Sequence, residues 1–144
     1  MRKVIIAGGR DFGFVAPDMS YDELDEVVVQ RQNGYDALFG YFADEVPHDG
    51  RDLLDAKHSF EIVSGKAKGA DTFGEEFARV WSIPVKEFPA DWDQYGKAAG
   101  HRRNYEMAKY ADVLIAFWDG ESRGTRDMID TALREGLEIH VYRY

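Results

Sequence analysis

The sequence predicts an α/β fold, a three-layer sandwich with helices on both faces of a mostly parallel five-stranded sheet. Three observations predict it. Apolar runs such as Val4-Ile5-Ile6 and Val113 to Trp118 are continuous rather than alternating, as in strands buried on both faces. Segments with helical spacing separate these runs, in the order β-α-β-α-β-α-β-α-β. Several runs end in polar, glycine-rich turns that open onto the next helix.

Taken in order, "KVIIAGG" (3–9) reads as a buried strand and a Gly-Gly turn. Residues 13–34 carry mixed signals. Pro17 and Asn33-Gly34 are breakers, Ser20 is placed to cap a short helix, and Val27-Val28-Val29 suits strand or helix. Tyr35, Leu38, Phe39, Phe42 and Val46 keep helical spacing up to Pro47. Residues 46–58 read mostly as a connection, and "FEIV" (60–63) as the second strand. Phe73, Phe77, Val80 and Trp81 form a helical stripe that ends before Pro84. "VKEF" (85–88) is a third strand, 89–100 a loop, and 101–110 a helix. "DVLIAFW" (112–118) is the strongest strand. A helix follows, with Met128, Ile129, Ala132 and Leu133 on one side and Gly136 beyond its end. "EIHVYRY" (138–144) is the fifth strand. One domain, 1–144, is expected, with insertions at 13–34 and 47–58.

Composition narrows the function. The chain has 144 residues, 44% of them hydrophobic, enough for one domain with a core. It has no Cys, which excludes disulfides and thiolate chemistry and fits a reducing compartment. No signal peptide opens it, and no apolar run approaches the roughly 20 residues of a membrane span. A soluble, cytoplasmic protein with no membrane partner is expected. The net charge of −9 disfavours nucleic acid as a partner. Yet Arg10, Lys66, Lys68, Lys97, Arg102, Arg103, Arg123 and Arg126 all fall in the glycine-rich stretches. A basic pocket on an acidic body is expected.

In such sheets ligands bind beyond the carboxyl ends of the strands. Four ends carry unusual chemistry. They are Gly8-Gly9-Arg10-Asp11, then Ser64-Gly65 with Lys68, Gly69 and Asp71, then Pro89 to Asn104, and finally Trp118 to Thr125. Backbone amides at helix starts attract anions, and glycine lets a phosphate approach. Each end also has a plainer reading as a βα connection with solvated lysines. "SGKAKGAD" is neither a Walker A loop nor a dinucleotide fingerprint, and Asp71 suits a helix start in any case. "DGESRGT" combines Gly120, Ser122, Gly124 and Thr125 just before a helix. Trp92 and Trp118 are candidates to stack on a base or to be buried. The four His have no metal spacing, so no metal ligands are assigned. Asp11, Asp71, Asp91, Asp93 and Asp119 leave Mg²⁺ beside a nucleotide as a candidate cofactor.

Together, "VIIAGGRDF", "VSGKAKGAD" and "FPADWDQYGKAAGHRRNYEMAKYADVLIAFWDGESRGTRDMIDTA" resemble the YspA-like branch of the SLOG superfamily, named for the Smf/DprA and LOG proteins. The resemblance covers about 3–12 and 60–142, and extends to the helix at 35–46. Its G-x-x-x-G-A-D turn is matched by Gly65, Gly69, Ala70 and Asp71. Its second block is matched by Pro89, Ala90, Asp91, Trp92, Gly96, Ala99, Gly100, Arg103 and Asn104, and its last turn by Gly120, Gly124 and Thr125. It implies a Rossmann-like fold that binds or senses a nucleotide or nucleotide-derived phosphate, ADP-ribose-like ligands included, in phage or bacterial settings. Alternatives are a nucleotide hydrolase related to LOG, or single-stranded DNA binding as in DprA. LOG relatives place a glutamate three residues after the threonine. Here that position is Met128, and Asp127 falls about 100° away around the helix. LOG-type hydrolysis is therefore expected to be absent or weak. With 20 of 144 residues aromatic, a homo-oligomer, most simply a dimer, is also expected.

Overall fold

A computed structural model describes residues 1–46, 53 and 55–144. All five strands run parallel, in the order β3-β2-β1-β4-β5: β1 (Arg2–Gly8), β2 (Phe60–Ser64), β3 (Val85–Glu87), β4 (Val113–Trp118) and β5 (Glu138–Arg143). The "mostly parallel" expectation is thus sharpened to fully parallel. The chain winds outward from β1 through β2 to β3, then crosses to β4. This is the Rossmann-like pattern, and its switch point lies between β1 and β4.

Helices α1 (Tyr21–Glu45) and α3 (Ala70–Trp81) cover one face. Helices α5 (Ala99–Tyr110) and α6 (Arg123–Arg134) cover the other. Two one-turn helices, α2 (Ala56–Ser59) and α4 (Trp92–Tyr95), lie in the connections. The central strands are apolar without alternation because both faces are covered, and Val4 to Ala7 and Val113 to Phe117 are all buried.

The largest departure from the sequence reading is α1. Ser20 does cap it, with a reciprocal capping box to Glu23. The helix is not short, however, and runs 25 residues straight through Asn33-Gly34. Gly34 does not break it because tertiary packing needs a glycine there. A Cβ on Gly34 would lie 2.9 Å from both Phe12 and Phe73. Val27 is buried while Val28 and Val29 are exposed, which is helical, not strand, periodicity. Much of the expected insertion at 13–34 is therefore the first part of a core helix. The second expected insertion, 47–58, and Pro47 lie largely outside the described residues.

Two smaller corrections concern helix faces. Val80 and Leu133, placed on buried stripes by spacing, are 65% and 63% exposed. They sit at the margins of their stripes, beyond the width that the sheet covers. Among the described residues no helix is long and apolar enough to cross a membrane.

Candidate functional site

The turn after β1 and the start of α3 are locked together. Gly69, at φ 81°, is the residue before α3, and a Cβ there would lie 2.3 Å from the Gly9 carbonyl oxygen. That carbonyl accepts from the Ala70 amide at 3.1 Å. Asp71, in the first turn of α3, is 5% exposed and accepts from the Ala67 amide at 3.2 Å. Burial pushes its carboxyl up to about 6, against the opposing pull of that amide and of Arg103. Burial in turn holds the Arg103 guanidinium below its usual value, opposed by Asp71. Arg103 donates to the Gly65 carbonyl and, at 3.1 Å, to Asn104 Oδ1. The half-buried arginine thus ties α5 to the turn after β2.

The turn after β4 is fixed by Asp119, whose Oδ1 accepts from the amides of Glu121 and Ser122 at 2.8 Å each. Those amides hold the Asp119 carboxyl below its usual range. Ser122 caps α6 by accepting from the Thr125 amide. The first-turn amides of Arg123 and Gly124 have no helical carbonyl partner, so this end is polarised positively.

Between these turns, at the carboxyl ends of β1 and β4, lies a cavity of about 480 Å³. Its walls come from Gly8 and Arg10, from Ala67 and Asp71, from Trp92 to Met107, and from Ser122 to Met128. A second cavity of about 410 Å³ adjoins it, lined by Gly65, Lys68 and Pro89 and sharing Arg10, Ala67, Trp92 and Arg103 with the first. Four basic side chains, Arg10, Lys97, Arg103 and Arg123, therefore meet two carboxylates, Asp71 and Asp127, around one space.

One relative is similar over nearly its whole length. The "Gene 61 protein" of Mycobacterium phage D29 is 32% identical over 147 residues, covering 96% of this chain and 94% of the relative. The chain belongs to the same family as that phage protein. The X-ray structure of TM1055, a Northeast Structural Genomics Consortium target, shares the fold with a TM-score of 0.60 at 17% identity. The match covers 96% of this chain and 72% of that one. No family model matches.

In this chain, the predicted residues divide into two groups. Gly8, Arg10, Asp71, Trp92, Arg103, Asn104, Ser122, Gly124 and Thr125 line the main cavity, and Gly65 and Lys68 line its neighbour. The others support or lie elsewhere. Ser64 is buried and donates to Glu75 at 3.1 Å. Gly9 and Gly69 are packing glycines, and Asp11 accepts from the Tyr144 hydroxyl at 2.5 Å. Asp91 caps α4, and Gly120 packs under Arg143. Trp118 donates to the Ser122 carbonyl, and the Arg143 guanidinium covers its ring. Of the two candidate tryptophans, Trp92 alone faces the site, and it is 51% exposed. Among the described residues no group of three His, Asp or Glu is placed to hold a metal ion.

Lys97 and Arg123, named in the sequence only among the basic residues of the glycine-rich stretches, both line the cavity, as does His101, which sequence reasoning did not pick out for the site. Asp127, one position before Met128 on α6, lines the cavity together with it. Both of its oxygens are engaged, however. Oδ1 lies 2.8 Å from His101 Nδ1, and Oδ2 accepts from Asn104 Nδ2 at 2.9 Å. The missed signal was a pair of polar residues near the starts of two facing helices, His101 on α5 and Asp127 on α6.

Proposed function

We propose that this protein binds a nucleotide or nucleotide-derived phosphate ligand, as a YspA-like member of the SLOG superfamily. The observation that carries this reading is the convergence of Arg10, Lys97, Arg103 and Arg123 with the open N-terminus of α6 on one cavity in an otherwise acidic protein. Its volume of about 480 Å³ suits a small-molecule ligand of mononucleotide class. The phosphate lies at Gly124 and Thr125, within reach of Arg103, and Trp92 supplies the stacking surface for the base.

Isothermal titration with AMP, ADP-ribose and a cyclic dinucleotide tests this. Arg103→Ala is expected to weaken binding about 10- to 100-fold, the usual worth of a charged hydrogen bond. Trp118→Ala leaves binding within about 3-fold, because that ring is held outside the cavity. No binding of any of these ligands at millimolar concentration overturns the reading. We also propose a homodimer, supported by the exposed Tyr21, Val28 and Val29 on α1. Light scattering that finds only a 16.4 kDa species at micromolar concentration overturns that.

A further inference from the structure

We propose that the cavity hydrolyses a phosphodiester of a nucleoside, with His101 as the general base. This rests on the phosphate-binding reading above and extends it to a reaction. The geometry is a chain of three side chains of increasing exposure. Asn104 is 6% exposed and donates through Nδ2 to both the Gly124 carbonyl (3.3 Å) and Asp127 Oδ2 (2.9 Å). Asp127, thus held, lies 2.8 Å from His101 Nδ1 through its other oxygen. A carboxylate only accepts, so the proton of a neutral His101 sits on Nδ1 and the lone pair on Nε2. The imidazole is 60% exposed and lines the cavity. A rigid amide holds the carboxylate, and the carboxylate orients the base, so Asn104 and Asp127 are positioning residues.

The surrounding charge selects the chemistry. Cleaving a glycosidic bond builds positive charge on the sugar, and this cavity has four basic groups against two carboxylates, one of them already engaged by His101 and Asn104. Attack on phosphorus builds negative charge on the phosphoryl oxygens, which Arg103, Arg123 and the α6 amides stabilise. Monoester transfer passes through a loose transition state that gains little from a base. A diester, whose attacking water must lose its proton, gains more. In the step, the water oxygen bonds to phosphorus as His101 Nε2 takes its proton. The P–O bond to the leaving alcohol breaks with its electron pair, and the imidazolium or solvent returns a proton to that oxygen. One water is consumed and a monoester and an alcohol result, joined in one molecule when the substrate is cyclic.

The test uses two probes, adenosine 2′,3′-cyclic phosphate followed by phosphorus NMR and bis(para-nitrophenyl) phosphate followed by absorbance. Calorimetry with AMP runs in parallel on the same samples. The expected result is turnover of the cyclic probe, reduced about 100-fold or more in kcat by His101→Gln, with KM and AMP affinity within about 3-fold. Asp127→Asn is expected to lower kcat at least about 10-fold with the same KM pattern. AMP binding without turnover of either probe overturns this proposal alone. So does turnover that survives His101→Gln in a variant whose thermal midpoint matches wild type. Absence of turnover together with no binding of AMP, ADP-ribose or the cyclic dinucleotide overturns the binding reading and this one together.

Discussion

The two faces of the sheet are packed with different materials. On the α1/α3 side, Phe12, Phe42, Phe60, Phe73, Phe77 and Phe117 interlock, with Phe12 stacked on Phe117 at 4.4 Å and Phe42 edge-on to Phe60 at 4.9 Å. On the α5/α6 side the core is Ile5, Ala7, Val63, Met107, Ala108, Leu114, Ala116, Met128 and Ala132, without one fully buried ring among the described residues. A cavity of about 590 Å³ opens on the ring-rich side between Phe12, Gly34, Phe117 and Tyr144, and the one that gathers the basic side chains opens on the other, floored by Ala7 and Gly8. The large rings are concentrated on one face and the basic cluster on the other.

The strongest way to break this contrast is to truncate both faces. Phe42→Ala is expected to cost about 3–5 kcal/mol, the range for a fully buried phenylalanine. Ala132→Gly, equally buried, is expected to cost about 1 kcal/mol. Urea unfolding measures both, and equal costs would erase the distinction.

The next effect is in pH. Asp71 titrates near 6 in the fold against an ordinary 3.8, so its protonated form is the favoured one. Its contribution is fully present below about 3.8 and is lost as pH rises through about 6. The difference is on the order of 3 kcal/mol. Asp71→Asn is expected to flatten the stability profile over that window and to raise the midpoint at pH 7. A wild-type profile flat between pH 4 and 6 would show that the cavity end carries no such penalty.

The smallest effect compares two glycines on one helix. Gly34→Ala forces a methyl to within 2.9 Å of Phe12 and Phe73, for about 1–3 kcal/mol of overpacking. A methyl on Gly40 would meet nothing within 4 Å, so Gly40→Ala is expected to stabilise α1 by up to about 1 kcal/mol. Thermal midpoints moving in the same direction would place the crowding elsewhere.

What the sequence disclosed was local. Val4-Ile5-Ile6 and Val113 to Phe117 announced central strands because burial on both faces leaves no polar alternation. Gly124, Thr125 and Ser122 announced a helix start because capping chemistry is short-range. What it withheld was set by distant partners. Nothing near Gly34 says that Phe73 will press on it. Nothing near Trp118 says that Arg143 of β5 will cover its ring. His101 and Asp127 lie on different helices and meet only because α5 and α6 pack side by side on the alanine-rich face.

The strand order also bears on how the chain is born. β1 leaves the ribosome well before β4, yet Val4 must find Val113 before the centre of the sheet exists. Roughly a hundred residues separate them, a synthesis delay on the order of ten seconds at typical elongation rates. Through that interval β1 and β2 can pair, but the other edge of β1 stays open and apolar, a template for wrong partners. Completion waits on a contact distant in sequence, the kind that slows folding most. A nascent chain stalled before β4 emerges would hold Phe12, Phe42, Phe60, Phe73 and Phe77 without Phe117 and the strand that closes their core.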